Sequence, residues 1–209
     1  MGLVTRPAFI RSASHARRHG SEVLDLIHEA GNPYYNWFFG GPEPARAALE
    51  ALFASASSEI SAARVTLLLT GDALAGMFIG LDGRELAECR LADALLLFRS
   101  AQGEERTALI RHAKAARDLF ATVPSDAYYL SKIGVARAAR GQGLGRMLLD
   151  RFLAEGRRKG YRRFWLDVPA TNSRALALYS SRGFEPVRKR RLGQLAYVEM
   201  ALEKVGGQA

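Results

Sequence analysis

The sequence predicts an α/β or α+β protein built on a mixed sheet, and three observations predict it. Short apolar runs rich in β-formers (RVTLLLT, ALAGMFIGL, FWLDV, LAYVEMALE) alternate with longer stretches whose apolar residues return every three or four positions. Two of those runs, 64–70 and 73–81, are joined by Gly71-Asp72 alone, a turn signal that makes a hairpin of them. The second half then runs strand, glycine-rich turn, helix, strand, helix, strand, strand, an order that combines helical crossovers with a final strand pair.

Each element has its own reason. VTRPAFI opens the chain as a first strand, and in SEVLDLIHEA the residues Val23, Leu24, Ile27 and Ala30 fall at helical spacing. GNPYYNWFFGGPEP is bracketed by glycine and proline and reads as an aromatic loop, with a helix over ARAALEALFASASSEI after it. Beyond the hairpin, Asp82-Gly83 turns the pattern helical through LADALLLFRS and GEERTALIRHAKAARDLF, until Pro124-Ser125-Asp126 breaks it. AYYLSKIGVA is the next strand. GLGRMLLDRFLAEGRRK is a helix with Leu144, Leu148 and Phe152 on one stripe, closed by Gly160. FWLDV is a buried strand, NSRALALYSS a short helix stopped by Gly183, and FEPVRK and LAYVEMALE are the final strands. No Ser- or Pro-rich linker, low-complexity tract or repeat divides these elements, so one domain over residues 1–209 is expected.

Composition narrows the class. With 48% hydrophobic and 24% charged residues the chain reads as an ordinary soluble globular protein. Its longest apolar runs fall well short of the roughly 20 residues of a membrane span. The N-terminus, MGLVTRPAFIRSASHARRHG, lacks the apolar core of a signal peptide, and a cytoplasmic location follows as the expectation. The single cysteine, Cys89, allows no intrachain disulfide and no cysteine-based metal cluster; it reads as a small buried hydrophobe, and no metal is expected. A net charge of +9 raises the question of nucleic acid, but the basic residues are scattered from Arg6 to Arg191, with local clusters only at 157–163 and 188–191, which favours a polyanionic small ligand instead.

The stretch Arg140-Gly-Gln-Gly-Leu-Gly-Arg146 places three glycines in six positions just before the apolar run MLLDRFL. Glycine there costs backbone order, about 1 kcal/mol per residue against alanine in a helix, so something offsets it. A chain that leaves a strand at Val135 and enters a helix near Leu144 exposes the unpaired N–H groups of the first turn. Glycines at 141, 143 and 145 clear the Cβ atoms that would keep a ligand from them and permit the positive φ of an anion-binding nest, with the helix dipole behind it. A phosphate or pyrophosphate is the natural guest. Two familiar phosphate loops fail: GxGxxG needs glycine where Arg146 stands, and no Lys-Ser or Lys-Thr follows to complete a Walker loop.

A second segment, Asn172-Ser-Arg-Ala-Leu-Ala-Leu-Tyr179-Ser-Ser-Arg-Gly183-Phe184, follows after FWLDV. With Arg140-x-x-Gly143-x-Gly145, it resembles the GCN5-related N-acetyltransferase (GNAT) superfamily in motif and in element order: the family's pyrophosphate loop [QR]xxGx[GA] matches at Arg140, Gly143 and Gly145, and its Asn…LY…GF segment at Asn172, Leu178-Tyr179 and Gly183-Phe184. The resemblance is specific from about Tyr128 to Leu202 and generic in the first hundred residues. It implies a mixed, mostly antiparallel twisted sheet flanked by helices, with residues 91–120 as a helical insertion between the third and fourth strands. It also implies an acetyl-CoA-dependent N-acetyltransferase whose acceptor is a small-molecule or peptide amine, and leaves a homodimer open. The pantetheine arm would lie along the strand before the loop, against Ile133 and Val135, and the backbone N–H groups of Arg140, Gly141, Gln142, Gly143, Leu144, Gly145 and Arg146 would hold the pyrophosphate. Asn172 would either bond the pantetheine region or cap the short helix that it opens. Tyr179 would protonate the departing thiolate.

Acetyl transfer to an amine needs a neutral nucleophile, a polarised carbonyl and a stabilised thiolate, with orientation supplying much of the rest. Many GNAT members carry a carboxylate on the strand before the loop, whereas this strand has Ser131 and Lys132. Asp167 and Glu29 are the candidate bases, each equally readable as an ion-pair partner of an arginine. The acceptor pocket would be built by the aromatic stretch and the 91–120 insertion, with Tyr34, Tyr35, Trp37 and Phe38 lining it or filling core. The missing strand carboxylate also motivates a rival reading, a catalytically silent module that binds CoA as sensor or scaffold.

Overall fold

The computed structural model describes residues 6–120 and 122–203. Among the described residues seven strands form one sheet: β1 (Pro7–Arg11), β2 (Val65–Thr70), β3 (Ala73–Asp82), β4 (Ala127–Val135), β5 (Arg163–Pro169), β6 (Glu185–Leu192) and β7 (Leu195–Glu203). They lie in the order β1-β2-β3-β4-β5-β7-β6, and every neighbouring pair is antiparallel except β4 and β5. The mixed, mostly antiparallel sheet expected from the sequence is therefore the one observed.

The period-two alternation of the strands divides the core into two layers. Leu67, Leu69, Met77, Ile79 and Tyr129 face one way, toward the helices α1 (Ala13–Arg18), α2 (Gly20–Gly31) and α4 (Pro42–Ala54). Leu68, Phe78, Tyr128, Leu130, Leu166 and Val168 face the other, toward α7 (Leu144–Arg158) and α8 (Ser173–Ser180). The predicted stripe on α7 is the buried one: Leu148 and Phe152 are fully enclosed, and Leu149 and Leu153 broaden the face.

Three boundaries differ from the sequence reading. The aromatic stretch is not a loop. Tyr34–Phe39 form the short helix α3, stopped by Gly40 and Gly41 at φ 84° and 149°, and its rings pack against residues far along the chain, Tyr34 on Phe120 at 4.7 Å and Trp37 on His112 at 4.8 Å. Tertiary ring packing outweighs the flanking Gly and Pro signals. The helix expected over 45–60 starts at Pro42 and ends at Ala54, because the Ser-rich run after it offers no apolar face; residues 55–64 are irregular. The insertion is two helices, α5 (Gly83–Ser100) and α6 (Gly103–Ala116), and the first begins at Gly83, where the Asp82 side chain caps it by accepting from Glu85 N–H at 2.8 Å.

One departure from regular pairing shapes everything downstream. β4 pairs with β3 along its length, but with β5 only over Ala127–Tyr129 opposite Arg163–Trp165. Beyond those residues the two strands part, and the β3–β4 ladder slips by one at the same level, between Ile79 and Gly80, leaving Ser131 as the extra residue on β4.

Helix α7 approaches the base of this split closely. A Cβ on Gly156 would stand 2.4 Å from Phe164 Cε1 and 2.7 Å from Tyr128 Cδ1. Gly156→Ala is expected to destabilise the protein by about 1–3 kcal/mol through overpacking, against the roughly 1 kcal/mol that alanine returns as a better helix former. The urea midpoint should fall with an unchanged m-value; a midpoint that rises would show that α7 does not lie this near the sheet.

Candidate active site

The glycine loop joins β4 to α7 through a 3-10 turn, Arg137–Ala139. Gly141 and Gly143 take φ of 83° and 77°, conformations that residues with a Cβ rarely adopt, and nothing lies within 4 Å of where a Cβ on either would be. Gly143 is the N-cap of α7, with its carbonyl accepting from Arg146 and Met147 N–H. The N–H groups of residues 141–145 find no main-chain acceptor among the described residues. Leu144 turns its side chain into the core, and the backbone of Gly141 and Gly143 is open at the loop's outer face. That is a fitting cradle for a pyrophosphate.

Ile133 and Val135 sit on the parted half of β4, half-buried against the same apolar cluster that holds Tyr179. Tyr179 itself is buried on α8, edge-on to Phe184. Burial alone raises its pKa, and no described residue hydrogen-bonds its hydroxyl, so the proton is retained and undirected. Asn172 caps α8: its Oδ1 accepts from Ala175 N–H at 3.0 Å. Arg140 does not extend over the loop. Its Nε donates to Val135 O at 3.1 Å and its Nη2 reaches both Glu29 oxygens at 2.6 and 2.7 Å, tying the end of β4 to the end of α2. Glu29 is thereby an ion-pair partner at the rim, and Arg146 is exposed beside the loop.

On the opposite face of the sheet the split opens into a cavity of about 490 Å³. Ser131 and Lys132 of β4 and Asp167 of β5 form its floor. Tyr34 and Tyr35 line one wall, with Phe120 and Tyr197 beside them; Trp37 lies outside the lining and fastens α3 to α6 through His112. Arg190 holds the closing segment in place, donating to Phe120 O at 2.5 Å and to Glu199 at 2.8 Å, while Glu199 accepts from Trp165 at 2.9 Å.

The cavity is strongly charged, and its main carboxylate comes from an element that the sequence pattern passes over. Glu59, in the irregular segment after α4, enters the floor and accepts from the Ser131 hydroxyl and from Lys132 Nζ at 3.2 Å, with Arg90 Nε at 3.6 Å. Burial alone would raise its pKa; the charges of Lys132 and Arg90, with the Ser131 and Lys132 hydrogen bonds, outweigh burial and hold it at about 2. Lys132 is raised in turn, because Glu59 more than offsets its desolvation. Asp93 of α5 accepts from Glu59 N–H at 3.2 Å, and Tyr129 donates to Asp167 at 3.1 Å. Arg90 and Asp93 are one helical turn apart on α5, a spacing visible in the sequence. Their common target, Glu59, was not visible, because no local pattern marks which strand an irregular segment will touch.

Residues 99–184 match the Acetyltransferase (GNAT) family. That match takes in the glycine loop, α7, β5 and α8, so the similarity to the family is carried by this part of the chain. Among its relatives, the ribosomal protein bS18-alanine N-acetyltransferase of Escherichia coli K12 is 38% identical over 96 residues, 45% of this chain and 65% of that one. The mycothiol acetyltransferase of Jonesia denitrificans is 46% identical over 57 residues, 27% of this chain and 18% of that one. The chain thus spans less than two thirds of the curated relatives it matches. The fold is shared more widely: a crystal structure of an N-acetyltransferase from Staphylococcus aureus Mu50 superposes with a TM-score of 0.69 at 18% identity, covering 93% of this chain and 100% of that one.

The buried ion cluster has a pH signature. Glu59 has its folded pKa lowered to about 2 from 4.5, so its stabilising contribution is present above the ordinary carboxylate range and is lost as pH falls through about 2. Glu59→Gln leaves Lys132 and Arg90 facing a neutral amide and is expected to cost about 3–5 kcal/mol at pH 7. The difference in urea midpoint between the two proteins should shrink at pH 3. A difference independent of pH would show that the Glu59 charge contributes nothing.

Proposed function

We propose that this protein transfers an acetyl group directly from acetyl-CoA to a primary amine of a small molecule or peptide held in the cavity. The observation that carries the reading is the partial pairing of β4 with β5: it leaves an open strand edge with the glycine loop at one end and the charged cavity on the far face of the sheet. The match to the family over residues 99–184 and the names of the relatives support the same chemistry.

In this reading the N–H groups of residues 141–145 bind the pyrophosphate, those of Arg140 and Arg146 being taken by Arg137 O and Gly143 O, and the parted half of β4, at Ile133 and Val135, pairs with the pantetheine arm as a strand would. Asn172, through the cap it makes, orients α8 and with it Tyr179. The Tyr179 hydroxyl, kept protonated by burial, donates to the leaving sulfur. A main-chain N–H of β4 polarises the thioester oxygen. The cavity volume, about 490 Å³, suits a compact amine or the end of a peptide. The rival reading, a silent CoA module, rested on the missing strand carboxylate. Glu59, Asp93 and Asp167 stand in the cavity instead, which favours catalysis.

Acetyl-CoA should raise the melting temperature, since a ligand that binds only the native state stabilises it by mass action. Gly143→Val, which forces a β-branched residue to φ 77° in an open loop, should abolish most of that rise while the apo-protein stays folded. An undiminished rise in a folded variant would show that the loop is not the cradle.

Tyr179→Phe keeps the ring against Phe184 and removes the proton. Turnover in a thiol-release assay across an amine library should drop by roughly 10²-fold or more at nearly constant acetyl-CoA affinity. Loss of affinity at unchanged turnover would make Tyr179 a binding residue.

A further inference from the structure

An incoming amine is an ammonium ion at neutral pH and must lose a proton before it can attack. Among the described residues three carboxylates line the cavity, and they differ in what holds them. Glu59 is bonded by Ser131 and Lys132 and paired with Arg90, and two nearby cations keep it from accepting a proton. Asp167 already accepts from the Tyr129 hydroxyl.

Asp93 differs in geometry and setting. It lies on α5, in the insertion, and faces the cavity from the wall opposite the sheet. Its Oδ2 accepts from the backbone N–H of Glu59, the residue whose side chain reaches Ser131, so one residue's length separates its carboxylate from the bulge of β4. We propose that Asp93 takes the acceptor's proton, a role that rests on the acetyl-transfer reading of the same cavity and assigns its base to the helical insertion rather than to the sheet.

The surroundings suit that role. Facing Asp93 are Ser58 and Glu59 from the irregular segment, Lys132 from β4, Tyr35 from α3 and Cys89 from its own helix, and Arg90 and Arg117 line the same cavity. Burial raises its pKa most, hydrogen bonds from Ser58 and the Glu59 N–H lower it, and Glu59 raises it while Lys132 lowers it; the balance is about 6. A base poised there is largely ionised at neutral pH and still holds a proton well enough to take one. The step balances as follows. The Asp93 carboxylate takes one proton from R–NH3+; the nitrogen lone pair forms the C–N bond as the C–S bond breaks. The sulfur takes the Tyr179 proton, and the nitrogen's second proton returns to Tyr179 through solvent. Asp93 gives its proton to water, so one proton is released per acetyl group.

The test compares two isomers, phenethylamine, an ammonium at neutral pH, and 4-ethylaniline, already neutral. Asp93→Asn keeps an oxygen that can accept from Glu59 N–H, so the segment stays anchored. With phenethylamine the variant should lose about 10²-fold in kcat/KM, together with the rise in activity through about pH 6 expected of the wild-type protein. With 4-ethylaniline it should lose little, and the acetyl-CoA KM should not move. Asp93→Glu should restore part of the phenethylamine rate. Equal losses on both isomers, or a pH limb that survives in Asp93→Asn, would overturn the assignment. If the wild-type protein, with acetyl-CoA bound, acetylates no amine at all, the acyltransfer reading falls and this assignment with it, a failure seen before any variant is made.

Discussion

The structure depends on β4 ending its partnership with β5 after three residues. A strand in mid-sheet normally spends its N–H and C=O groups on both neighbours, and a buried group left unpaired is costly. Here the far half of β4 has β3 on one side and no strand on the other. The split is held open from both faces. α7 and α8 close the sheet below with a packed apolar layer, and above it the Ser131 and Lys132 side chains are drawn to Glu59 instead of covering the gap. An edge kept unpaired within a stable sheet is a template for an extended ligand.

The charged cluster above the split explains how an irregular segment reaches a defined place. Residues 55–64 have little apolar pattern of their own, yet Glu59 is gripped on three sides: by β4 through Ser131 and Lys132, by Arg90 on its carboxylate, and by Asp93 on its N–H. Burying these charges is expensive, and only mutual pairing makes it tolerable. The insertion is thus bound to the sheet by electrostatics at the cavity and by aromatic packing at its far end, where Phe120 meets Tyr34 and Tyr197. Both attachments border the same space, so the elements that close the cavity also set its chemistry.

Much of the fold was legible because local rules and tertiary structure agree there. The hairpin at Gly71-Asp72, the Leu144–Leu148–Phe152 stripe and the glycine loop follow from period and turn chemistry, and the structure contains each of them. The aromatic stretch misled for a physical reason: its flanking Gly and Pro signal a loop, but six residues packing rings onto a distant helix and the segment that follows it form a helical turn and a half. Trp37 shows the same limit. Its type suited a pocket wall, and its position in α3 turns it toward His112 instead.

By itself, the sequence determined the order of elements and the place where a helix N-terminus meets three glycines, since these rest on residues within a few positions of one another. Only the tertiary structure decided which charged groups share the cavity. Glu59, Arg90, Asp93, Lys132 and Asp167 lie on four separate stretches of chain, and their protonation follows from distances and burial that no spacing encodes. Coulomb interactions act through space, so the chemistry of the site emerges only once the chain has closed around it.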